Sequence, residues 1–252
     1  MQIKKLENFQ SSDSLLLLLR EEDCENLSSI PNLNDELRNI LSALISRKDF
    51  KGKKGSLLRV TLIEGNLYLL GLGKTEKCNI KLIRNSLAWG LRTIGKSRNK
   101  SASVILSHLN YDELSFALGE AAGLCSYVFD AYKTKDKDYE PFALTEIYSD
   151  VCEPEDFGRG IIFANSQNFS RSIANEPGCS VWPQVMAEKA EALAKEYNLT
   201  CEIWDENRLK AERMGGILAV GSGSKNPPRL IHLAYTPANS KKKIAFVGST
   251  GA

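Results

Sequence analysis

The stretch SDSLLLLLREE, residues 12–22, decides between fold classes. Leu15 to Leu19 form a continuous apolar run, entered from Ser12-Asp13-Ser14 and left through Arg20-Glu21-Glu22. The run is far too short to span a bilayer. It also lacks the polar alternation of a half-exposed strand, so it reads as a strand buried on both faces, which requires helices on both sides of a sheet. Outward from it, Leu37, Ile40, Leu41, Leu44 and Ile45 recur at helical spacing behind Asn34 or Asp35 as cap. After the turn at Gly52 to Gly55, Leu58, Val60 and Leu62, a break at Glu64-Gly65-Asn66 and the run Leu67 to Leu70 read as a hairpin ended by Gly71-Leu72-Gly73-Lys74-Thr75. Ile80, Ile83, Leu87, Leu91 and Ile94 make a helical stripe, residues 103–107 (SVILS) a buried strand, and Asp112 to Tyr132 a helix with Leu114, Leu118, Ala121, Ala122 and Cys125 inward. Strands and helices alternating in this way predict an α/β fold with a mixed sheet, the hairpin supplying the antiparallel strand.

Lys133 to Pro141 is charged and poor in apolar residues, and Ala143 to Tyr148 completes the first domain as a strand. Cys152-Glu153-Pro154-Glu155-Asp156 then places a proline and three carboxylates before a helix reaching about Ala174, where acids favour the positive end of the helix dipole. The domain boundary is placed here, giving residues 1–155 and 156–252. Beyond the turn at Asn175 to Gly178, Pro183 opens a helix with Met186, Ala190, Leu193 and Tyr197 inward. Thr200 to Trp204 reads as a strand and Asp205 to Ala211 as a short helix. Three strands are then expected at Ile217–Val220, Leu230–Tyr235 and Ile244–Val247, with Pro227-Pro228 forcing an extended entry into the middle one. Such a second sheet is incomplete, and it predicts open edges, an exposed apolar face and association or partial disorder from about residue 200 onward.

Composition restricts function. At 252 residues with 42% hydrophobic and 25% charged side chains, the chain supports one large core or two modest ones. A net charge of +2 gives no general affinity for nucleic acid or membrane. The six cysteines, Cys24, Cys78, Cys125, Cys152, Cys179 and Cys201, form no CxxC pair, and read as reduced thiols of a cytoplasmic protein. The N-terminal MQIKKLENFQ lacks the apolar core of a signal peptide.

Several motifs suggest chemistry. Gly71-Leu72-Gly73-Lys74-Thr75 resembles a phosphate loop, but Tyr68 stands where that loop has its first glycine, and Glu76 stands where a dinucleotide fingerprint has its third. A plain turn fits better. Gly221-Ser222-Gly223-Ser224 lacks the spacing of a nucleophile elbow. His108 and His232 read as satisfied histidines, one at the end of a buried strand and one on a strand between apolar neighbours. Lys74, Lys77, Lys81, Arg84, Arg92, Lys96, Arg98 and Lys100 stand against the lone acid Glu76. With the apolar stripe inward, Lys81, Arg84, Arg92 and Lys96 are candidate polyanion-binding residues, and a solvated helix face explains the same pattern. No HExxH motif or cluster of metal-ligating residues is legible.

Longer patterns point to a family. Residues 171–177 (RSIANEP), Pro183, Ala187, residues 214–224 (MGGILAVGSGS), 226–235 (NPPRLIHLAY) and 244–248 (IAFVG) resemble, in order and spacing, the cytosolic leucyl aminopeptidases of the two-metal type. Gly71-Leu72-Gly73-Lys74 and residues 119–133 (GEAAGLCSYVFDAYK) look like the same family's N-terminal domain. The resemblance covers the chain but only about the first half of a typical member. It implies an N-terminal α/β domain of macro-domain-like fold, joined by a long helix to a peptidase domain that removes N-terminal amino acids, leucine preferred, from peptides. In such enzymes two divalent ions, zinc, manganese or magnesium, hold the attacking water and lower its pKa. The family's metal ligands begin just after the position of Val247-Gly248. The first, a lysine, falls on Ser249, and residues 249–252 (STGA) do not continue the pattern. Cys179 also departs from the asparagine common there. No catalytic, metal or cofactor residue is therefore carried over, this chain alone is expected to be inactive and to bind no metal, and a homo-oligomer, hexameric in the family, is implied. The alternative is an α/β binding or regulatory module, acting through oligomer contacts or through DNA on the Lys74 to Lys100 face, since some family members bind DNA.

Overall fold

The structure is a computed structural model and describes residues 1–6, 14–63, 65–134 and 142–249. Ser12-Asp13, Glu64 of the hairpin break, most of the Lys133 to Pro141 stretch and residues 250–252 lie outside them. The chain forms two compact units, Met1–Arg171 and Ser172–Ala252.

The first unit is built on a six-stranded sheet in the order β1-β6-β5-β2-β4-β3, with β1 at Gln2–Lys5, β2 at Ser14–Arg20, β3 at Leu57–Leu62, β4 at Gly65–Gly73, β5 at Ser101–Ile105 and β6 at Glu146–Ser149. Every pairing is parallel except β3 with β4, the hairpin. The leucine run is the interior strand β2, between β4 and β5. Its side chains alternate between two cores. Leu16 and Leu18 pack with α3 (Ile80–Lys96) and α4 (Leu114–Cys125). Leu15, Leu17 and Leu19 pack with Leu37 and Leu41 of α2 (Asp35–Ser46) on the other face. That is why five consecutive leucines are all buried. Asn34 caps α2 by accepting from the Leu37 amide at 2.8 Å, and Asn79 caps α3 from Leu82 at 2.9 Å. A one-turn helix, α1 (Glu21–Glu25), follows β2 directly.

Three expectations for this unit need correction. The helix expected to reach Tyr132 ends at Cys125. Arg92 Nη1 takes the carbonyls of Cys125 (3.3 Å) and Tyr127 (3.2 Å), which satisfies the helix end, and the following Tyr127-Val128-Phe129 has low helix propensity. The strand expected at residues 103–107 is β5, Ser101–Ile105. Asp150 draws the chain out of the sheet by accepting from the Leu106 amide at 2.8 Å and from Ser107. The last strand lies at Glu146–Ser149 rather than Ala143 to Tyr148.

The long helix is α5, Pro154–Asn175, and its first turns lie on α4 at very close range. A Cβ on Gly119 would fall 2.1 Å from the Phe157 carbonyl oxygen, and one on Gly160 would fall 2.2 Å from that of Phe116. Gly123 meets the Ala164 methyl in the same way, at 2.4 Å. Glycine at both helices lets the backbones touch.

In the second unit α6 (Pro183–Tyr197) starts at proline, followed by β7 (Thr200–Trp204) and α7 (Glu206–Ala211), whose cap Asp205 accepts from the Arg208 amide at 2.9 Å. The buried residues of α6 are Ala187, Ala190 and Ala194: Ala190 lies inward as expected, whereas Met186 and Leu193 are half-buried and Tyr197 is 62% exposed. Ala187 and Ala194 each lie one position beyond the expected Met186 and Leu193, a rotation of the buried face about the helix axis. Ile217–Val220, expected as a strand, belongs to α8 (Gly215–Gly221), where the Leu218 amide donates to the Met214 carbonyl. A short apolar run has no period that separates strand from helix, and among the described residues no strand pairs with it to claim its amides. β8 (Leu230–Ala234) pairs antiparallel with β7, Thr200 opposite Ala234. Ile244–Val247 is not a strand: among the described residues this sheet has two strands, and a third has no partner here.

Candidate functional site

Parallel α/β sheets bind ligands outside the carboxyl ends of strands where the connections turn opposite ways. In the first unit that place lies between β2, which leads to α2 on one face, and β5, which leads to α4 on the other. It is filled by the chain itself. Arg20 grips Asp23 with Nε to Oδ2 and Nη2 to Oδ1, both 2.8 Å, while the Arg20 amide donates to the same carboxylate at 2.7 Å. Arg20 Nη2 also reaches the His108 carbonyl at 3.1 Å. His108 is in a short 3-10 turn, Ser107–Leu109, rather than on the strand, and its Nε2 lies 2.9 Å from the Leu18 carbonyl. A carbonyl only accepts, so Nε2 carries the proton, and the buried Nδ1 has no hydrogen-bond partner among the described residues. Burial pushes the His108 pKa down, against the opposing pull of the Leu18 carbonyl. Around the rim, Glu22 accepts from the Thr75 amide and hydroxyl, at 3.0 and 2.8 Å to Oε2, and Tyr111 donates to the Cys78 carbonyl at 2.8 Å. Hydrogen bonds from its own amide and from Thr75 hold Glu22 below the usual carboxylate range. Sequence reading did not single out Arg20 or Asp23, because an Arg-x-x-Asp pair beside a buried strand looks like a solvated exit.

The glycine motif after β4 is equally occupied. A phosphate loop needs free backbone amides. Here the Gly71 amide donates to Ser56 at 2.9 Å and the Gly73 amide to Gly52 at 2.7 Å, while Gly55 donates back to Gly71. A Cβ on Gly71 would stand 2.0 Å from the Lys53 carbonyl, so glycine serves the close approach of the 52–56 loop.

The four basic candidates of α3 divide in two. Arg84 bridges Glu120 of α4 at 3.1 Å, and Arg92 is spent on the α4 terminus. Lys81 and Lys96 are exposed, and fifteen helical steps put them about 22 Å apart along the axis. A depression of about 440 Å³ is lined by Tyr111, Glu113, Phe116, Glu153, Asp156 and Phe163. Its counter-ion is again internal: Arg159 bridges Asp156 at 2.8 Å and lies over the Phe116 ring at 5.7 Å.

In the second unit His232 is on β8 opposite Glu202, but exposed rather than enclosed. Ser222 Oγ donates to the Ala219 carbonyl and ends α8. Among the described residues no three His, Cys, Asp or Glu side chains come together to hold a metal ion. All six cysteines are free thiols. Among the described residues no helix is long and apolar enough to cross a membrane.

Comparison with known proteins agrees with this division. Residues 16–136 match the N-terminal domain of the cytosol aminopeptidase family and residues 168–250 match its catalytic domain. A probable cytosol aminopeptidase of Aquifex aeolicus is 34% identical over 229 residues, covering 88% of this chain and 46% of that protein. One from Sulfurihydrogenibium is 34% identical over 260 residues, covering 97% and 51%. A tomato leucine aminopeptidase mutant superimposes with a TM-score of 0.78 over 96% of this chain and 52% of its own, at 24% identity. The bottromycin maturation enzyme BotP, in complex with Mn, gives 0.71 over 90% and 46%, at 21% identity; these two likenesses show the fold alone. The chain spans about half the length of the curated relatives it matches, and with both of the family's domains represented in order it belongs to the cytosol aminopeptidase family, as an N-terminal portion.

Proposed function

We propose that the chain is the N-terminal portion of a cytoplasmic aminopeptidase that removes N-terminal residues, leucine preferred, from peptides by hydrolysis at two divalent metal ions, and that it is inactive by itself. Residues 1–155 are read as the N-terminal domain, of macro-domain-like fold, and residues 156–252 as the linker helix and the opening of the peptidase domain. The observation that carries this reading is the match of residues 168–250 to the catalytic domain in a chain whose described residues bring together no metal-ligating cluster. The names of the relatives, cytosol aminopeptidases, support the cytoplasmic setting and the peptide substrate. Binding of Mn by BotP supports a divalent metal in the complete enzyme. A homo-oligomer is part of the same reading. The assay is hydrolysis of leucine p-nitroanilide with added manganese. No turnover is expected from residues 1–252, and turnover abolished by a chelator would overturn the inactivity.

A further inference from the structure

The six-stranded sheet of the first unit ends in two unlike edges. At one, β1 is four residues long and carries Lys4 and Lys5, charges that deter pairing with another strand. At the other, β3 (LLRVTL) has six residues, no lysine and no proline, and pairs with β4 in an unbroken register from Leu57 opposite Leu70 to Leu62 opposite Gly65. Among the described residues no strand pairs with its far side. One step before that register, the Gly71 amide donates to the Ser56 carbonyl at 2.9 Å. Bonded and non-bonded positions alternate along an antiparallel ladder, so Leu58, Val60 and Leu62 turn their amides and carbonyls to β4, and Leu57, Arg59 and Thr61 turn theirs to the open edge. The strand's one charge does not guard that edge. Arg59 is drawn back over its own hairpin, donating to Asn66 Oδ1 at 3.1 Å from Nε and 3.0 Å from Nη2, with its guanidinium 5.7 Å from the centre of the Tyr68 ring on β4.

We infer that the open edge of β3 pairs with β3 of a second copy of this chain, antiparallel and centred on Val60, so that two sheets continue as one. This rests on the homo-oligomer proposed above and names the strand at which two copies meet. The residues of the edge specify both the occupant and the register. A two-fold antiparallel pair centred on Val60 sets Val60 against Val60, Leu58 against Leu62, and Leu57 against Ile63, which is fully exposed beside the end of the strand. Arg59 then stands opposite Thr61, and each donates its free amide to the other's free carbonyl. Centring on Arg59 instead sets two like charges face to face, and centring on Leu58 or Thr61 leaves the far end of the strand without a partner. The register on Val60 joins apolar to apolar residues along the whole strand, matches the outward backbone groups and opposes no like charges.

Sedimentation equilibrium of the full 252-residue chain over a range of concentrations reads self-association, and variants locate it. Thr61→Pro removes an amide that β4 does not use, and proline is tolerated on an edge strand where its nitrogen faces outward. Thr61→Lys sets a cation opposite Arg59 of the other copy. Each is expected to weaken association at least tenfold while leaving the far-UV circular dichroism unchanged. Cross-linking reads the register independently of those two variants. In a chain carrying Cys179→Ser, which removes the exposed native thiol, Val60→Cys brings the two Cα atoms to about 4.5 Å, within reach of a disulfide, whereas Thr61→Cys leaves them about 8 Å apart and out of reach. Oxidation with copper phenanthroline is expected to give covalent dimer from Val60→Cys at least tenfold faster than from Thr61→Cys. Equal rates, or a chain that stays monomeric at every concentration, overturn the pairing. Association that neither Thr61→Pro nor Thr61→Lys weakens also overturns it, and assigns the homo-oligomer to another surface. Hydrolysis of leucine p-nitroanilide is followed separately, since turnover bears on the aminopeptidase reading and not on this edge.

Discussion

Gly119→Ala is the sharpest test of how the first unit holds its long helix. The new methyl carbon would lie 2.1 Å from the Phe157 carbonyl oxygen, where ordinary contact begins at 3.4 Å. The obstruction is backbone, so no rotamer change relieves it and α4 and α5 must separate by about 1.3 Å, the difference between those two distances. Gly160 faces the Phe116 carbonyl at 2.2 Å by the same measure, which closes the crossing from both sides. Separation loosens Phe157, 3% exposed, and Ala164, fully buried. Overpacking of this kind costs up to about 3 kcal/mol, and alanine returns about 1 kcal/mol of helix propensity. The net loss is about 2 kcal/mol, or about 4–8 °C in Tm for a unit of this size. Gly158→Ala in α5 is the control, because its Cβ meets nothing within 4 Å and only the propensity gain applies. Urea unfolding followed by far-UV circular dichroism reads both. If Gly119→Ala is as stable as the parent chain, the close crossing contributes nothing and the argument fails.

Arg20→Met is expected to cost about 3–5 kcal/mol, because it strands the Asp23 carboxylate, 4% exposed, while Arg20→Met with Asp23→Leu recovers part of that loss in the same urea assay. A loss under about 1 kcal/mol in the single variant would show the pair to be solvated. Because burial lowers the folded-state pKa of His108, the unfolded chain binds its proton more readily; the stability this group contributes is complete above about pH 6.5 and falls as pH drops below it. His108→Gln flattens that part of the stability profile, and an unchanged slope between about pH 6.5 and 5 refutes the assignment. In thiol labelling at pH 8, exposed Cys179 reacts first, whereas Cys125, buried and pushed up to about 12 chiefly by desolvation, reacts only on unfolding; equal rates would contradict the packing of α4. Arg84→Ala destabilises the first unit by leaving Glu120 half of a partly buried pair, whereas Lys81→Ala leaves urea stability within about 0.5 kcal/mol.

What sequence reading recovered follows from the range of the forces involved. The leucine run, the Asn34 cap and the hairpin depend on periodicity and on hydrogen bonds within a few residues, and each was legible. The end of α4 was not, because it is set by Arg92 from a helix 33 residues earlier in the chain. The end of β5 was displaced for a similar reason, Asp150 being 44 residues from the amide it captures, and its beginning is set by the pairing of Ser101 with Glu146. Ile217–Val220 and Ile244–Val247 failed differently: their composition is that of strands, but a strand exists only where a neighbour takes its amides. The occupied switch point was illegible because Arg20, Asp23 and His108 meet only after β2 and β5 are set side by side.

In the first unit the glycine motif and two of the four basic candidates are engaged internally, while Lys81 and Lys96 stay exposed. The amides of Gly71 and Gly73 are spent on the loop from Gly52 to Ser56, Arg84 and Arg92 on α4, the crevice between β2 and β5 on the Arg20–Asp23 pair, and Arg159 on Asp156. A site poised for catalysis keeps groups unsatisfied toward a substrate, at a cost to stability. His108 Nδ1, which has no hydrogen-bond partner among the described residues, is buried in a ring that the Leu18 carbonyl fixes. A unit whose polar groups are used internally is suited to hold another element in place, and the glycine crossing shows which one: Gly119 and Gly123 seat Gly160 and Ala164 of α5, whose last residues open the second unit. The residues 119–133 that resemble the family's N-terminal domain thus act through backbone contact and through Glu120, and the match to the family's catalytic domain begins at residue 168, within the helix they hold.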